Sequence, residues 1–380
     1  MEEEIQNETK KSKKTNVIIT IKVILFILIG LIILQIITPI FVPTWTTKYD
    51  GEGRRMKGFY QEPKNSIDVL MIGNSDLYRG ISTMKLWEEY GIASYNMGSA
   101  MQTPWTGYYT LKEAYQYQSP KLVIIETDSV FEKKDRSEPT LRKIYDNMRW
   151  GEAKVEAIMD PVYQNGIGKK LSYVFPIMRF HSRWSELKLE DITKGYQTYE
   201  SQFKGYSMTG KVVANKNGYK YMDKKRKEKG IPQKSKEYLE KTIELCRKNN
   251  TQVLLLELPS TTSWSNQRSQ WMQEFAKQQN VPFIDLNYPT KEYMLDWSKD
   301  TEDKGNHLNI YGAEKTANYL GKYIKENYQI PDRRNDSNYT RWNESLSLYE
   351  KVKKEEIEKN EKEKQNKQNQ KIKNNKIQNK

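Results

Sequence analysis

The sequence predicts an α/β fold, a three-layer sandwich with a parallel sheet, preceded by one transmembrane helix and interrupted by a large insertion. Apolar runs with the length of buried strands alternate with longer helical segments over residues 66–330. Such alternation is typical of a parallel sheet covered by helices on both faces. A continuous apolar stretch at residues 17–42 lies ahead of this region. It has no polar stripe, which favours a membrane span over a core helix.

The apolar stretch reads VIITIKVILFILIGLIILQIITPIFV. It is long enough to cross about 30 Å of hydrocarbon at about 1.5 Å per residue. Lys22 can extend toward one interface, while Gln35 and Pro39 lie near the other end. A cleaved signal peptide is the alternative, but no small-residue cleavage site follows the stretch. We therefore expect an uncleaved anchor.

Strands and helices are predicted on both sides of a central gap. In the first half, a helix is expected near Pro104, which suits a first-turn position, and short apolar runs predict strands at residues 66–73, 92–97 and 121–126. In the second half, strands are predicted at 252–257 and 282–285, between helices at 234–249, 267–279 and 312–328. Strand–helix alternation of this kind favours parallel pairing.

The gap at about residues 131–232 is rich in Tyr, Lys, Arg and Trp and lacks this alternation. We interpret it as an insertion that shapes access to a site at the carboxyl ends of the strands. From Lys351 onward nearly every residue is charged or an amide, so a disordered or fraying-helix tail is expected. The predicted organisation is a cytoplasmic leader at 1–16, a transmembrane helix at 17–42, a linker at 43–65, the α/β domain at 66–330 and a charged tail at 331–380.

The formal net charge of +14 does not by itself indicate nucleic-acid binding. Residues 341–380 alone hold 12 basic and seven acidic residues, and the rest of the charge follows no RRM, zinc or helix-turn-helix pattern. Nucleic acid is therefore not expected, and an anionic envelope polymer or a lipid surface is favoured. Cys246 is the only cysteine, which excludes an internal disulfide and a cysteine-based metal site.

The two histidines, His181 and His307, are the available bases for a serine nucleophile. A serine hydroxyl needs such a base, and the base needs a carboxylate to orient it. Asp303 and His307 share one short loop before a predicted helix, so they can meet without help from the rest of the fold. His181 lies in RFHSRW, where we expect a structural or substrate-positioning role, and Arg183 could hold an anionic polymer.

Three short motifs lie on these elements in order: Gly73-Asn74-Ser75-Asp76 after the first strand, Gly98 after the second, and DKGNHLNIYGAEK, residues 303–315, before the last helix. They resemble the first, second and fifth blocks of the SGNH/GDSL hydrolase superfamily, which has an SGNH/flavodoxin-like fold. The resemblance covers residues 66–328 without the insertion. It is closer to membrane-anchored members similar to DltD and the alginate O-acetylation proteins than to soluble esterases.

The resemblance implies that Ser75 is the nucleophile, His307 the general base and Asp303 its orienter. The backbone N–H groups of Ser75 and Gly98 would stabilise the oxyanion. No metal ion and no cofactor are implied. The sequence departs from the family pattern at two points. Asp303 lies one residue further from the histidine than in the usual DxxH, and Glu126-Thr127-Asp128 stands where the family has an oxyanion-binding Asn.

Structural interpretations of the same residues stay open. Ser75 could cap the first helix, and His307 could be a loop histidine bonded to Asp303. Asp76 is expected as a first-turn carboxylate that favours the helix dipole, and Gly98 could be a turn glycine.

The family resemblance implies a membrane-anchored, extracytoplasmic acyl esterase or O-acyltransferase that modifies a cell-envelope polysaccharide or teichoic polymer, beside a membrane-bound O-acyltransferase. The numbers of basic residues on the two sides of the span are nearly equal, so the positive-inside rule does not decide the orientation. The family resemblance favours a cytoplasmic N-terminus. The Lys, Asn, Ile and Tyr bias suggests a Gram-positive bacterium. The alternative is a non-catalytic accessory protein of the same fold that binds the polymer or the acyltransferase, and the missing Asn favours it.

Overall fold

The computed structural model describes residues 1–43, 51–133, 137–160 and 167–378. The strands are β1 (Val69–Ile72), β2 (Ser94–Asn96), β3 (Leu122–Glu126), β4 (Gln252–Glu257) and β5 (Phe283–Asp285). The α-helices are α1 (Glu2–Phe41), α2 (Glu52–Phe59), α3 (Ser75–Gly80), α4 (Thr83–Tyr90), α5 (Pro104–Ala114), α6 (Glu138–Tyr145), α7 (Glu152–Met159), α8 (Ile167–Val174), α9 (Ile177–Phe180), α10 (Leu189–Tyr196), α11 (Gln233–Lys248), α12 (Asn266–Gln279), α13 (Ile310–Asn327) and α14 (Thr340–Gln378). Short 3-10 helices lie at Asp128–Phe131, His181–Ser185, Gly218–Asp223 and Ser337–Tyr339.

The sheet has the order β2-β1-β3-β4-β5, and every neighbouring pair is parallel. This is the 2-1-3-4-5 order of flavodoxin-like folds, in which sites form outside the carboxyl ends of the strands. The side chains of β1 and β3 are buried along their whole length, as expected for strands covered on both faces. The predicted parallel α/β fold is confirmed.

The chain divides into two compact units. The first unit combines Met1–Thr44 with Asn165–Gln197, and the second, the sheet unit, combines Trp45–Gln164 with Thr198–Lys380. The predicted insertion at 131–232 is therefore not one body. Its central part belongs with α1, whereas its two flanks belong with the sheet.

In the first unit, α1 carries an apolar stretch from Lys13 to Phe41, within which an 18-residue window has a mean hydropathy of 3.2. By length and composition this stretch could cross a membrane, as an anchor or as a signal sequence. Its side chains are exposed over most of that length. An exposed apolar surface of this size marks a candidate membrane or protein interaction site.

The linker expected at residues 43–65 is partly helical. Residues 44–50 lie outside the described residues, but α2 follows, and Met56 and Phe59 are buried. The Phe59 ring meets the Tyr95 ring at 5.5 Å between centroids, and the Tyr95 hydroxyl donates to the Arg55 carbonyl at 2.7 Å. This segment therefore belongs to the core of the sheet unit.

In the predicted tail, residues 340–378 form helix α14, whose first turns pack against the sheet unit. Trp342, Tyr349 and Val352 are buried on one face of its first turns. The Trp342 ring lies 5.1 Å from the Trp87 ring, and the Tyr349 hydroxyl donates to Glu314 at 2.7 Å. The composition of the tail is dominated by charge, but these apolar residues recur at helical spacing and extend the core.

We predict that Tyr349→Ala lowers the free energy of unfolding by about 3–5 kcal/mol, because it empties a fully buried aromatic site. Tyr349→Phe removes only the hydroxyl and should cost about 1 kcal/mol. Ile372→Ala, at an exposed position of the same helix, is the matched control and should have almost no effect. Chemical denaturation of the full chain in detergent measures all three. Equal stability of Tyr349→Ala and the control would contradict the packing of α14.

Candidate active site

Ser75 is the first residue of α3, at the carboxyl end of β1. The preceding residue, Asn74, is the N-cap of this helix, and its side-chain oxygen accepts the Asp76 backbone N–H at 2.8 Å. A helix needs one such cap, so the Ser75 hydroxyl is free for another partner. The capping role considered for Ser75 is therefore filled by Asn74.

That partner is His307, which lies on the loop before α13. The Ser75 Oγ is 2.8 Å from His307 Nε2, and His307 Nδ1 is 2.5 Å from Asp303 Oδ2. The other Asp303 oxygen accepts the backbone N–H of His307 at 2.7 Å. Asp303 thus holds both the ring and the backbone of the histidine, and the three side chains form one continuous hydrogen-bonded chain.

The carboxylate fixes the tautomer of the histidine. Burial raises the pKa of Asp303, but hydrogen bonds from the His307 side chain and backbone outweigh this and hold the pKa below its usual value. An ionised Asp303 accepts the Nδ1–H, which leaves the lone pair of Nε2 facing the Ser75 hydroxyl. This is the arrangement in which histidine can take a proton from serine.

The turn that presents Ser75 is held by a buried carboxyl group at the end of β3. Glu126 Oε2 accepts the Asn74 N–H at 3.0 Å, and Glu126 Oε1 accepts the Asp128 N–H at 2.8 Å. Asn74 Nδ2 in turn donates to Asp128 Oδ2 at 2.7 Å. A Cβ atom at Gly73 would lie 2.5 Å from the Glu126 Cβ, so this close approach requires glycine.

Asp76 is in the first turn of α3, as expected, but it is buried beside the histidine. Its Oδ1 lies 3.7 Å from His307 Nε2 and has no hydrogen-bond partner among the described residues. Burial, and then the charges of Asp128 and Glu126, raise the pKa of Asp76 well above the usual range. At 3.7 Å Asp76 makes no hydrogen bond to His307, whose Nε2 is paired with Ser75 Oγ at 2.8 Å.

Asp76, Glu126 and Asp128 form an acidic cluster that the sequence did not predict. One oxygen of each lies within 4.8 Å of the others, which makes this the group with metal-ligand spacing among the described residues. Protein hydrogen bonds already occupy Glu126 and Asp128. Burial, followed by the charge of Asp128, raises the pKa of Glu126 to about 8. The other Asp128 oxygen, Oδ1, and Asp76 Oδ1 have no hydrogen-bond partner among the described residues.

Gly98 lies beside the Ser75 turn, but its N–H already has an acceptor. It donates to Asn96 Oδ1 at 2.9 Å, while Asn96 Nδ2 donates to the Leu77 carbonyl at 3.1 Å. A Cβ at Gly98 would lie 3.0 Å from the Gly73 carbonyl oxygen. The structure therefore gives Gly98 a packing role against the turn, and its N–H is not open as the predicted oxyanion donor.

His181 and Arg183 belong to the first unit, and their hydrogen bonds lie within it. His181 is exposed, and its Nδ1 is 3.1 Å from the Met178 carbonyl. Arg183 donates to the Phe41 carbonyl at 2.5 Å and to Asp191 at 3.1 Å. These contacts give Arg183 a structural role at the end of α1.

No protein-family model and no curated protein matches the sequence. Among solved structures, the chain is similar to a protein assigned to the G-D-S-L lipolytic family from Desulfitobacterium hafniense, at 14% identity and a TM-score of 0.34, over 68% of this chain and 99% of that one. A GDSL-like lipase from Bacteroides thetaiotaomicron matches at 11% identity and 0.35, over 72% and 97%. The psychrotrophic esterase EstA from Pseudoalteromonas matches at 10% and 0.34, over 68% and 97%. At these values the similarity assigns no activity to this chain.

The acidic cluster predicts a pH dependence of stability. The pKa of Glu126 rises from 4.5 to about 8 on folding, so between these values the folded state holds a proton that the unfolded state has lost. The free energy of unfolding should therefore fall as pH rises through this window, by at most about 1.4 kcal/mol per pH unit for this proton. Asp303 titrates below the window and does not contribute.

We predict that Glu126→Gln makes this dependence less steep between about pH 5 and pH 8. Glu274→Gln, at an exposed glutamate of α12, is the control and should keep the wild-type slope. Denaturation curves of the full chain at several pH values measure the difference. A wild-type stability that increases with pH across this range would contradict a protonated cluster.

Proposed function

We propose that this chain is an SGNH-type serine acyl esterase or O-acyltransferase. The observation that carries the proposal is the hydrogen-bonded chain from Ser75 through His307 to Asp303, with 2.8 Å and 2.5 Å between the paired atoms. Ser75 is partly exposed, so a substrate carbonyl can reach it. The family motifs on these same residues agree with this chemistry.

In the proposed reaction, Ser75 Oγ attacks the acyl carbonyl carbon and its proton passes to His307 Nε2. The tetrahedral intermediate collapses, His307 protonates the leaving alcohol oxygen, and the acyl group remains on Ser75 as an ester. A sugar hydroxyl or water then attacks this ester and gives its proton to His307, which returns a proton to Ser75 Oγ as the second tetrahedral intermediate collapses. A sugar hydroxyl as acceptor gives transfer, and water gives hydrolysis.

The proposal also includes the cellular location of the reaction. The apolar stretch of α1 supports an uncleaved anchor. By analogy with the resembling systems, the N-terminus would lie in the cytoplasm and the body outside, in a Gram-positive cell envelope. The substrate would be an envelope polysaccharide or teichoic polymer. A membrane-bound O-acyltransferase would supply the acyl group, by analogy with the resembling systems.

A non-catalytic accessory protein of the same fold is the second candidate. The shortage of oxyanion donors favours this accessory role, because the Gly98 N–H is bonded to Asn96 and no Asn follows β3. A protein of this kind would bind the polymer or the acyltransferase without forming an ester on Ser75.

We predict that a membrane-impermeant fluorophosphonate labels the chain on intact cells freed of their wall. Ser75→Ala should abolish labelling, because the reacting oxygen is lost. His307→Ala and Asp303→Asn should slow it by about 10²- to 10⁴-fold. Ser119→Ala, at an exposed serine, is the matched control and should label like wild type.

Labelling that ignores Ser75, or none in folded protein, would favour the accessory protein. Labelling that requires permeabilised cells would instead reverse the proposed orientation.

A further inference from the structure

A basic cavity of about 510 Å³ lies in the sheet unit, next to the loop that carries Asp303 and His307. Its walls come from residues 214–218, from Lys220, Tyr221 and Lys224, from Thr261 and Thr262, and from the adjoining loop residue Lys304. None of the described lining residues is acidic. Four of them are lysines: Lys216, Lys220, Lys224 and Lys304. A concave surface of one charge sign concentrates ions of the opposite sign.

These lysines are not neutralised by neighbouring carboxylates. In the part of the chain that the structure describes, Lys216, Lys220 and Lys304 form no ion pair. The nearest acidic residues along the chain, Asp223 and Asp303, do not line the cavity. Asp223 accepts from Asn266 at 3.1 Å, and Asp303 accepts from His307. The positive charge of the cavity is therefore available to a ligand.

The walls of the cavity are tied together by backbone hydrogen bonds. The Asn215 N–H donates to the Trp297 carbonyl at 2.8 Å, and the Thr261 N–H donates to the Gly305 carbonyl at 3.0 Å. The Lys304 N–H donates to the Val213 carbonyl at 3.3 Å. The cavity is thus a preformed site, and one of its walls continues directly into the histidine loop.

We infer that this cavity binds a short stretch of an anionic polymer that carries repeated phosphate or carboxylate groups. Its volume lies in the range of about 300–1,000 Å³ that is usual for ligand sites, which is room for more than a single ion. Resting on the proposed function, the bound stretch would be part of the acceptor chain, held beside Ser75.

Calorimetric titration of the full chain in detergent tests this inference. The probes are poly(glycerol phosphate) oligomers, oligogalacturonate and neutral dextran oligomers. We expect one or both anionic probes to bind, more weakly as salt is raised, and the neutral probe not to bind. The Lys216→Gln/Lys220→Gln variant should bind about tenfold more weakly or worse. Lys277→Gln/Lys291→Gln, at exposed lysines outside the cavity, should bind like wild type.

Equal binding by both double variants, or equal binding of dextran, would overturn the inference. Preference for one anionic probe identifies phosphodiester or uronate as the ligand chemistry. The Ser75→Ala variant should bind the oligomers normally, because the cavity does not use the hydroxyl. Failure of the catalytic proposal would therefore show in fluorophosphonate labelling and leave this binding intact.

A second observation comes from the first unit and does not depend on Ser75. We call residues 167–197 the flanking segment, which contains α8, α9 and α10. Trp184 is 72% exposed and Leu189 is 81% exposed, and further large apolar side chains of this segment also face outward: Leu171, Met178, Ile192 and Tyr196. So many exposed apolar groups in so short a segment indicate an interaction surface.

The flanking segment is fastened to the last turns of α1. Gln35 Nε2 donates to the Val174 carbonyl at 3.3 Å, the Tyr196 hydroxyl donates to the Ile36 carbonyl, and Arg183 donates to the Phe41 carbonyl. These α1 residues lie at the carboxyl end of the apolar stretch, where a span would leave the hydrocarbon. Basic residues also lie along the segment: Lys169, Lys170, Arg179, Lys188 and Lys194.

The geometry points to the lipid interface as the partner of the flanking segment. Its apolar side chains continue the exposed surface of α1, and Trp and Tyr are the residues enriched at membrane–water boundaries. Its lysines and arginine suit anionic headgroups. The segment would then fix the depth of the anchor in the bilayer.

Tryptophan quenching in nanodiscs of phosphatidylcholine with brominated acyl chains tests this contact. Trp184→Phe should lose part of the quenching that the wild-type chain shows. Trp150→Phe removes another exposed tryptophan, from the sheet unit, and should leave the lipid-quenched component unchanged. Equal quenching of wild type and Trp184→Phe would place Trp184 outside the lipid and overturn the inference.

Discussion

The geometry around Ser75 depends on the carboxyl group of Glu126, which receives two backbone N–H groups at the carboxyl edge of the sheet. One comes from Asn74, immediately before Ser75, and the other from Asp128, beyond the end of β3. β1 and β3 are paired in parallel from Val69 to Ile72, so both turns emerge at one level. Gly73 allows the two turns to touch. The register of β1 and β3, Gly73 and the buried Glu126 together place the Ser75 hydroxyl within hydrogen-bond distance of His307.

The sequence identified most elements of the sheet unit because parallel strands are buried on both faces and read as short apolar runs. The Asp303–His307 pair was also predictable from the sequence, because both residues lie on one loop. The acidic cluster was not, because Asp76 and Glu126 meet only when β1 pairs with β3. The burial of α14 was missed for a different reason: its charged residues outnumber Trp342, Tyr349 and Val352, although these three have helical spacing.

In the sheet unit, the carboxyl groups near Ser75 are mostly buried, whereas the lysines of the basic cavity are exposed. Burying an ionised carboxylate without a partner costs several kcal/mol, so the acids beside Ser75 are held by hydrogen bonds or kept protonated. Glu257, at the end of β4, follows the same rule: burial, then the charge of Glu126, raises its pKa well above the usual range. The lysines of the basic cavity are exposed and keep their charge at little cost.

The occupied N–H of Gly98 bears on how an oxyanion would be stabilised. Exchanging its bond to Asn96 for one to an oxyanion replaces a neutral hydrogen bond, worth about 0.5–1.5 kcal/mol net, with a charge-assisted bond worth about 1.5–3 kcal/mol. The exchange also leaves Asn96 Oδ1 without a donor, and an unsatisfied buried acceptor costs about 1–3 kcal/mol. The two terms nearly cancel, so Gly98 contributes little while Asn96 stays in place. The main backbone donor is then the Ser75 N–H, which begins α3 and has no intrahelical acceptor. Because Asn74 caps the helix by accepting the Asp76 N–H, Ser75 Oγ is left to His307, and under the proposed function the Ser75 N–H would donate to the oxyanion.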